Sequence, residues 1–198
     1  MPKPRRKQQT NTVRIIGGEF RGRRLAFTDS EGLRPSTDRN RETLFNWLQN
    51  YVAGANCLDL FAGSGVLGFE CLSRGAASVS FVDMEKAICR QLEQNLSLLK
   101  VDTASVYCGG AADFLTRYKG KGFDLVFLDP PFHKDMLQDA CDRLAKSGLL
   151  LSAAYIFLEA EFPLDQLGLP NNWRLIRNKT AGTVYYGLVS TASHSNSE

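Results

Sequence analysis

The chain has 198 residues, 43% hydrophobic and 23% charged, an ordinary balance for a single globular domain that buries its core without disulfides or metal. No apolar run approaches the ~20 residues of a membrane-spanning helix, and no apolar signal core follows the basic, polar start from Met1 to Thr10. The five cysteines (Cys57, Cys71, Cys89, Cys108 and Cys141) form no C-x-x-C pair and have no histidine spaced beside them as a metal ligand, so reduced thiols, no zinc and a cytoplasmic location are expected.

Net charge is only +3, but residues 1–41 hold eleven Lys/Arg against four Asp/Glu, and the remainder thirteen against seventeen. A basic arm on a mildly acidic body is suited to a polyanion, the plain alternative being a solvated tag. Residues 1–11 are polar and expected to be disordered. Residues 13–16 and 24–27 flank Gly17-Gly18 and Gly22 and are predicted to pair as a small hairpin with Arg14, Arg21, Arg23 and Arg24 on its exposed side. Ser36, Thr37 and Asp38 are N-cap candidates for a helix over 39–51, in which Leu44, Phe45, Leu48 and Val52 recur at helical spacing.

From Cys57 onward strands and helices alternate. Strands are predicted over 57–61, 78–83, 105–108, 123–129 and 155–160. Helices are predicted over 66–74, 85–100, 111–118 and 134–146. This pattern argues for a mostly parallel sheet with helices on both faces. Two final strand-like runs, 173–179 and 183–190, have no helix between them and must form an antiparallel hairpin at the sheet edge. The fold class is α/β, Rossmann-like, with seven strands. The organisation is a basic extension over 1–54, a body over 55–190 and a disordered tail over 191–198.

Three motifs carry chemistry. In Leu58-Asp59-Leu60-Phe61-Ala62-Gly63-Ser64-Gly65-Val66-Leu67-Gly68, a strand runs into a glycine turn and a helix, the arrangement that lets a ligand lie against main-chain N–H groups. The spacing satisfies G-x-G-x-x-G. Asp59 at the strand end opposes a pyrophosphate and favours a cationic ligand. Next, Asp83 ends the following strand, 18 residues after Gly65, where Rossmann-type sites hold ribose hydroxyls; it also suits a helix cap. Last, Leu128-Asp129-Pro130-Pro131-Phe132 follows an apolar strand. Two prolines remove N–H donors, leaving carbonyls and the Asp129 carboxylate as a cradle for an amino group, with Phe132 as a stacking face.

Taken in this order, the motifs resemble amino-group methyltransferases of nucleic acids. Together with the segments 14–23 and 33–48, residues 13–190 resemble the bacterial small-subunit ribosomal RNA guanine-N2 methyltransferases. The resemblance implies S-adenosylmethionine as cofactor and ribosomal RNA as partner, free or in an assembling subunit, for a monomeric enzyme. It implies that Phe61, Gly63 and Gly65 line the cofactor's amino-acid end, that Asp83 binds ribose with Met84 against adenine, and that Asp129, Pro130, Pro131 and Phe132 hold the target base. It places Asp59, Ala111, Thr37 and Arg41 among the cofactor contacts. The segment from Arg34 through Arg39 to Arg41 closes over the methionine end or guides RNA. Related enzymes often have Asp or Asn at the position of Gly110; a backbone contact or Asp113 substitutes here. Rival readings are a DNA or RNA adenine-N6 or cytosine-N4 amino methyltransferase, a nicotinamide dehydrogenase, and a non-catalytic RNA-binding module.

Overall fold

The protein was analysed as a computed structural model, which describes residues 11–28, 38–131 and 136–191. Strands β1 (Asn11–Arg14) and β2 (Arg24–Phe27) form an antiparallel hairpin, and α1 (Asp38–Trp47) follows. The body alternates β3 (Asn56–Asp59), α2 (Val66–Ser73), β4 (Ser78–Asp83), α3 (Lys86–Leu99), β5 (Ala104–Cys108), α4 (Ala111–Arg117), β6 (Phe123–Leu128), α5 (Met136–Lys146) and β7 (Leu150–Ala160). It ends in β8 (Arg174–Ala181) and β9 (Val184–Ser190).

The seven-stranded sheet has the order β5-β4-β3-β6-β7-β9-β8. Strands β3 to β7 run parallel, and β9 is antiparallel to both its neighbours. This is the Rossmann-like class I methyltransferase architecture expected from the sequence. The order reverses between β3 and β6, so the crevice for a ligand opens at the carboxyl ends of those two strands.

The central strands β3, β4 and β6 are buried on both faces, which explains why β3 and β6 read as apolar runs. On one face Cys57, Phe81, Phe127, Phe157 and Tyr186 pack with α1, α2, α3 and the hairpin. On the other, Leu58, Val82, Val126, Leu128 and Ile156 pack with α4 and α5. Helix α1 belongs to the first layer. Its Phe45 ring lies 6.4 Å from Phe127, and Trp47 lies 5.7 Å from Tyr186. The basic extension therefore shares the body's core.

Most boundaries fall within two residues of the sequence reading. Two differ more. Helix α1 ends at Trp47, four residues early, where the chain passes into a turn. Strand β7 begins at Leu150, with a register shift between its pairs to Phe123 and Leu125. Ser152-Ala153-Ala154 has no β-branched or aromatic side chain to announce a strand. Among the described residues, no helix is long and apolar enough to cross a membrane, and no group of His, Cys, Asp or Glu is arranged to hold a metal ion.

Candidate active site

The glycine turn follows β3 and opens α2. Gly63 and Gly65 have φ of 51° and 72°, the left-handed region that favours glycine. A Cβ on Gly65 would also stand 2.3 Å from Leu92, and one on Gly68 would stand 2.3 Å from Phe81. The first glycine serves the turn, the second turn and packing, and the third helix-to-sheet packing. Asp59, 3% exposed, accepts a 3.2 Å hydrogen bond from the Gly68 N–H. Burial raises its carboxyl to about 7, against the Gly68 bond, with a further push from the Asp83 charge.

Asp83 closes the loop from the side. One carboxylate oxygen accepts from Gly63 N–H at 3.0 Å and the other from Glu85 N–H at 2.8 Å, ahead of α3. It thus ties the glycine turn to the start of α3, and each oxygen keeps a lone pair for a ligand hydroxyl. Met84 beside it is 74% exposed, the most exposed large apolar side chain described. Phe61 is half-buried.

Beyond β5, a Cβ on Gly110 would meet nothing within 4 Å, so the space above this strand end is open. Ala111, half-buried, begins α4. Asp113 is exposed in the first turn of α4. Its carboxylate is held by the Tyr107 hydroxyl and by Arg117 Nε at 2.5 Å, and these two partners hold it below its ordinary value.

Asp129 follows β6 and is half-buried, with Pro130 buried and Pro131 exposed. Its carboxylate makes no hydrogen bond to any described residue. Burial, then the charges of Glu159 and Asp59, hold it well above the ordinary carboxylate range. Asp59 and Asp129 stand on the two strands flanking the switch point and feel each other's charge. Sequence reasoning missed Glu159, 7% exposed on β7. Its signal was a lone acid inside the apolar run Ile156-Phe157-Leu158-Glu159-Ala160.

Arg41 is where the sequence reading needs correction. Its guanidinium is buried, bonding Arg14 O at 2.8 Å, Glu70 at 3.2 Å and Asp38 at 2.5 Å. So engaged, it cannot also hold a cofactor; its helical spacing to Leu44 and Phe45 turns it into the core. Thr37, Arg34 and Phe132 lie outside the described residues. Arg39 is exposed on α1. Arg14 pairs with Asp38 at 2.9 Å and faces Arg24 across the hairpin.

The hairpin turn is docked far from Asp129. Ser73, the last residue of α2, accepts from the N–H of Glu19 through its carbonyl and from that of Phe20 through its hydroxyl, at 2.7 and 2.8 Å. Helix α2 runs from the carboxyl edge of the sheet back to the amino edge. Arg21 and Arg23, on this turn, therefore sit toward the amino edge, about 12 Å of helix below the glycine loop.

Residues 13–190 match the family model described as conserved hypothetical protein 95. The chain is 45% identical over 186 residues to the ribosomal RNA small subunit methyltransferase D of Escherichia coli (strain K12), covering 94% of this chain and 93% of that one. The protein of the same name from Haemophilus influenzae is 46% identical over 179 residues, covering 89% and 92%. Among solved structures, the Escherichia coli protein yhhF gives a TM-score of 0.84 at 44% identity, over 92% of this chain and 99% of that one. Matched along nearly its whole length by that model and by these relatives, the chain belongs to the conserved hypothetical protein 95 family.

Proposed function

We propose that this protein transfers a methyl group from S-adenosylmethionine to the exocyclic N2 amino group of a guanine in small-subunit (16S) ribosomal RNA. The observation that carries this reading is Asp129: a half-buried carboxyl without a hydrogen-bond partner among the described residues, at the switch point, followed by two prolines. The names of the relatives support ribosomal RNA as the substrate, and the resemblance of segments 14–23 and 33–48 supports guanine N2.

The residues present fit the cofactor. Asp59 and Asp83 make an acidic lining that suits a sulfonium bearing an ammonium and repels a pyrophosphate. Asp83 would hold the ribose hydroxyls, Met84 the adenine face, the Gly63–Gly65 backbone and Phe61 the amino-acid end, and the open space at Gly110 and Ala111 the adenine edge. Bound there, S-adenosylmethionine supplies an electrophilic methyl group.

The chain's own residues do the rest. Asp129 and the Pro130 carbonyl accept hydrogen bonds from the target –NH2 and so orient the nitrogen lone pair. Phe132 stacks on the base. The gain comes from positioning and preorganised electrostatics, and no covalent enzyme intermediate is needed.

The test is single-turnover methylation of small-subunit ribosomal RNA with labelled cofactor, followed by nucleoside mass spectrometry. N2-methylguanosine is the expected product; N6-methyladenine or N4-methylcytosine, or transfer to DNA alone, would assign a different amino group. Asp129→Ala should lose ~10²-fold or more in the transfer step while keeping cofactor affinity, with Asp129→Asn retaining more. Transfer by Asp129→Ala at the parent rate would reassign the turn to structure.

A further inference from the structure

The C-terminal hairpin has no part in the chemistry above, yet its register carries it to the same edge of the sheet. Leu128 of β6 pairs with Leu158, Leu158 with Gly187, and Gly187 with Asn178. One residue further on, Glu159 pairs with Tyr186 and Tyr186 with Lys179. Asp129 follows Leu128 and so stands level with this row. Lys179 is then three strand spacings from the target cradle, about 14 Å along the sheet. It lies on the β6–β7 side, away from the glycine loop.

Lys179 is not alone. Arg177 pairs with Leu188, and Leu188 and Tyr186 belong to the same core cluster. Arg177 and Lys179, two apart in a strand, therefore project from one face. Both are exposed, and neither makes an ion pair with a described residue. Among the described residues, Arg177 bonds only its neighbour's carbonyl, Ile176 O, at 3.0 Å. The tip at Gly182, with φ of 64°, stands beyond Ala160 of β7, whose partner Tyr185 pairs with Thr180.

The N-terminal arginines make the contrast. Arg21 and Arg23 sit on a turn docked to the end of α2, toward the amino edge. Among these basic groups, the pair at the height of the target cradle is on β8. We propose that Arg177 and Lys179 form a phosphate-binding flank that grips the RNA strand beside the target base. This rests on the reading of the protein as an RNA methyltransferase. The ordinary role of such charges, blunting an edge strand against pairing with another sheet, is separable, because a glutamate blunts an edge as well as a lysine does.

The experiment uses the full chain and the double variant Arg177→Glu with Lys179→Glu, probed with purified small-subunit ribosomal RNA. RNA affinity should fall at least tenfold, and the slope of log affinity against log salt should shrink by about one to two, one unit or less per lost phosphate contact. Cofactor affinity, solubility and the transfer rate at saturating RNA should hold. Arg177→Gln with Lys179→Gln should fall between parent and reversal, and it answers the question if the reversed variant fails to fold. Unchanged RNA affinity and salt slope would overturn the proposal. So would a defect confined to assembled small subunits with naked RNA bound normally, which would assign the surface to a protein neighbour. A parent enzyme that methylates no RNA would instead overturn the underlying reading.

Discussion

Asp59 lies against the protein's own stability. Its carboxyl is raised to about 7, chiefly by burial, whereas in the unfolded chain it titrates near 3.8. A group whose folded value is raised contributes stability that is complete below about pH 4 and lost as pH climbs through 7. At ~1.4 kcal/mol per pH unit the loss is bounded at about 4 kcal/mol by pH 8. Asp59→Asn keeps an acceptor for Gly68 N–H and removes the titration. Urea unfolding should show parent and variant alike at pH 4 and the variant more stable at pH 8; parallel pH profiles would remove Asp59 as the cause. A buried carboxyl that weakens the fold at neutral pH is explained if a cationic ligand ionises it, and cofactor affinity should then rise from pH 6 to pH 8 in the parent but not in Asp59→Asn. The sequence showed an acid at this strand end, and with it the charge of ligand that the position favours. Its burial and its coupling to Asp83 and Asp129 came from three strands meeting, which no local pattern records.

At the scale of elements, helix α2 joins the cofactor loop to the basic hairpin. Glu70, in its middle, is wholly buried and accepts from Ile16 N–H at 2.6 Å, Arg41 at 3.2 Å and Arg74 at 3.3 Å. Arg74 in turn lies 4.6 Å over the Phe45 ring. One turn on, Ser73 takes the hairpin loop so tightly that a Cβ on Gly18, at φ of 73°, would stand 1.8 Å from the Ser73 carbonyl. Asn95 of α3 holds β2 through Ala26 O at 2.8 Å. Glu70→Ala leaves Arg41 paired with Asp38 but orphans the buried Ile16 N–H and one side of the guanidinium, and should cost ~1–3 kcal/mol, the scale for a buried polar group left without its partner. Hydrogen exchange should show residues 12–27 losing protection before β3 and β4 do. Uniform loss across the sheet would mean that the hairpin is no separate unit. Sequence periodicity found α2 but singled out nothing at Glu70. The resemblance gave Arg41 to the cofactor, although its helical spacing to Leu44 and Phe45 puts it on the core face of α1.

For the whole molecule, charge divides the surface. The exposed arginines of the hairpin stand on one helical layer, where Arg14, opposite Arg24, is paired with Asp38. Reversing Arg21, Arg23 and Arg24 to glutamate should weaken RNA binding and its salt dependence while sparing cofactor affinity. Filter binding across a salt series decides it, and reversed variants that bind RNA normally would leave these arginines to solubility. From their place toward the amino edge, the RNA lost on reversal is expected to be remote from the target base. The charge count over 1–41 foretold a basic arm but not which edge it would occupy, because that follows from α2 running back down the sheet.

The sequence by itself determined the α/β alternation, the order of the three motifs, the reversed final hairpin and the acidic strand ends. Each is written in residues close together in the chain: a glycine spacing, an apolar run, two prolines after an aspartate. Only the tertiary structure decided which charges were ligand-facing. Arg41 went into an ion pair with Glu70, Asp113 into a clasp with Tyr107 and Arg117, and Lys179 into the row of Asp129. Those fates depend on strand register and helix packing between segments tens of residues apart, and burial, which sets what a charge can do, exists only once those segments meet.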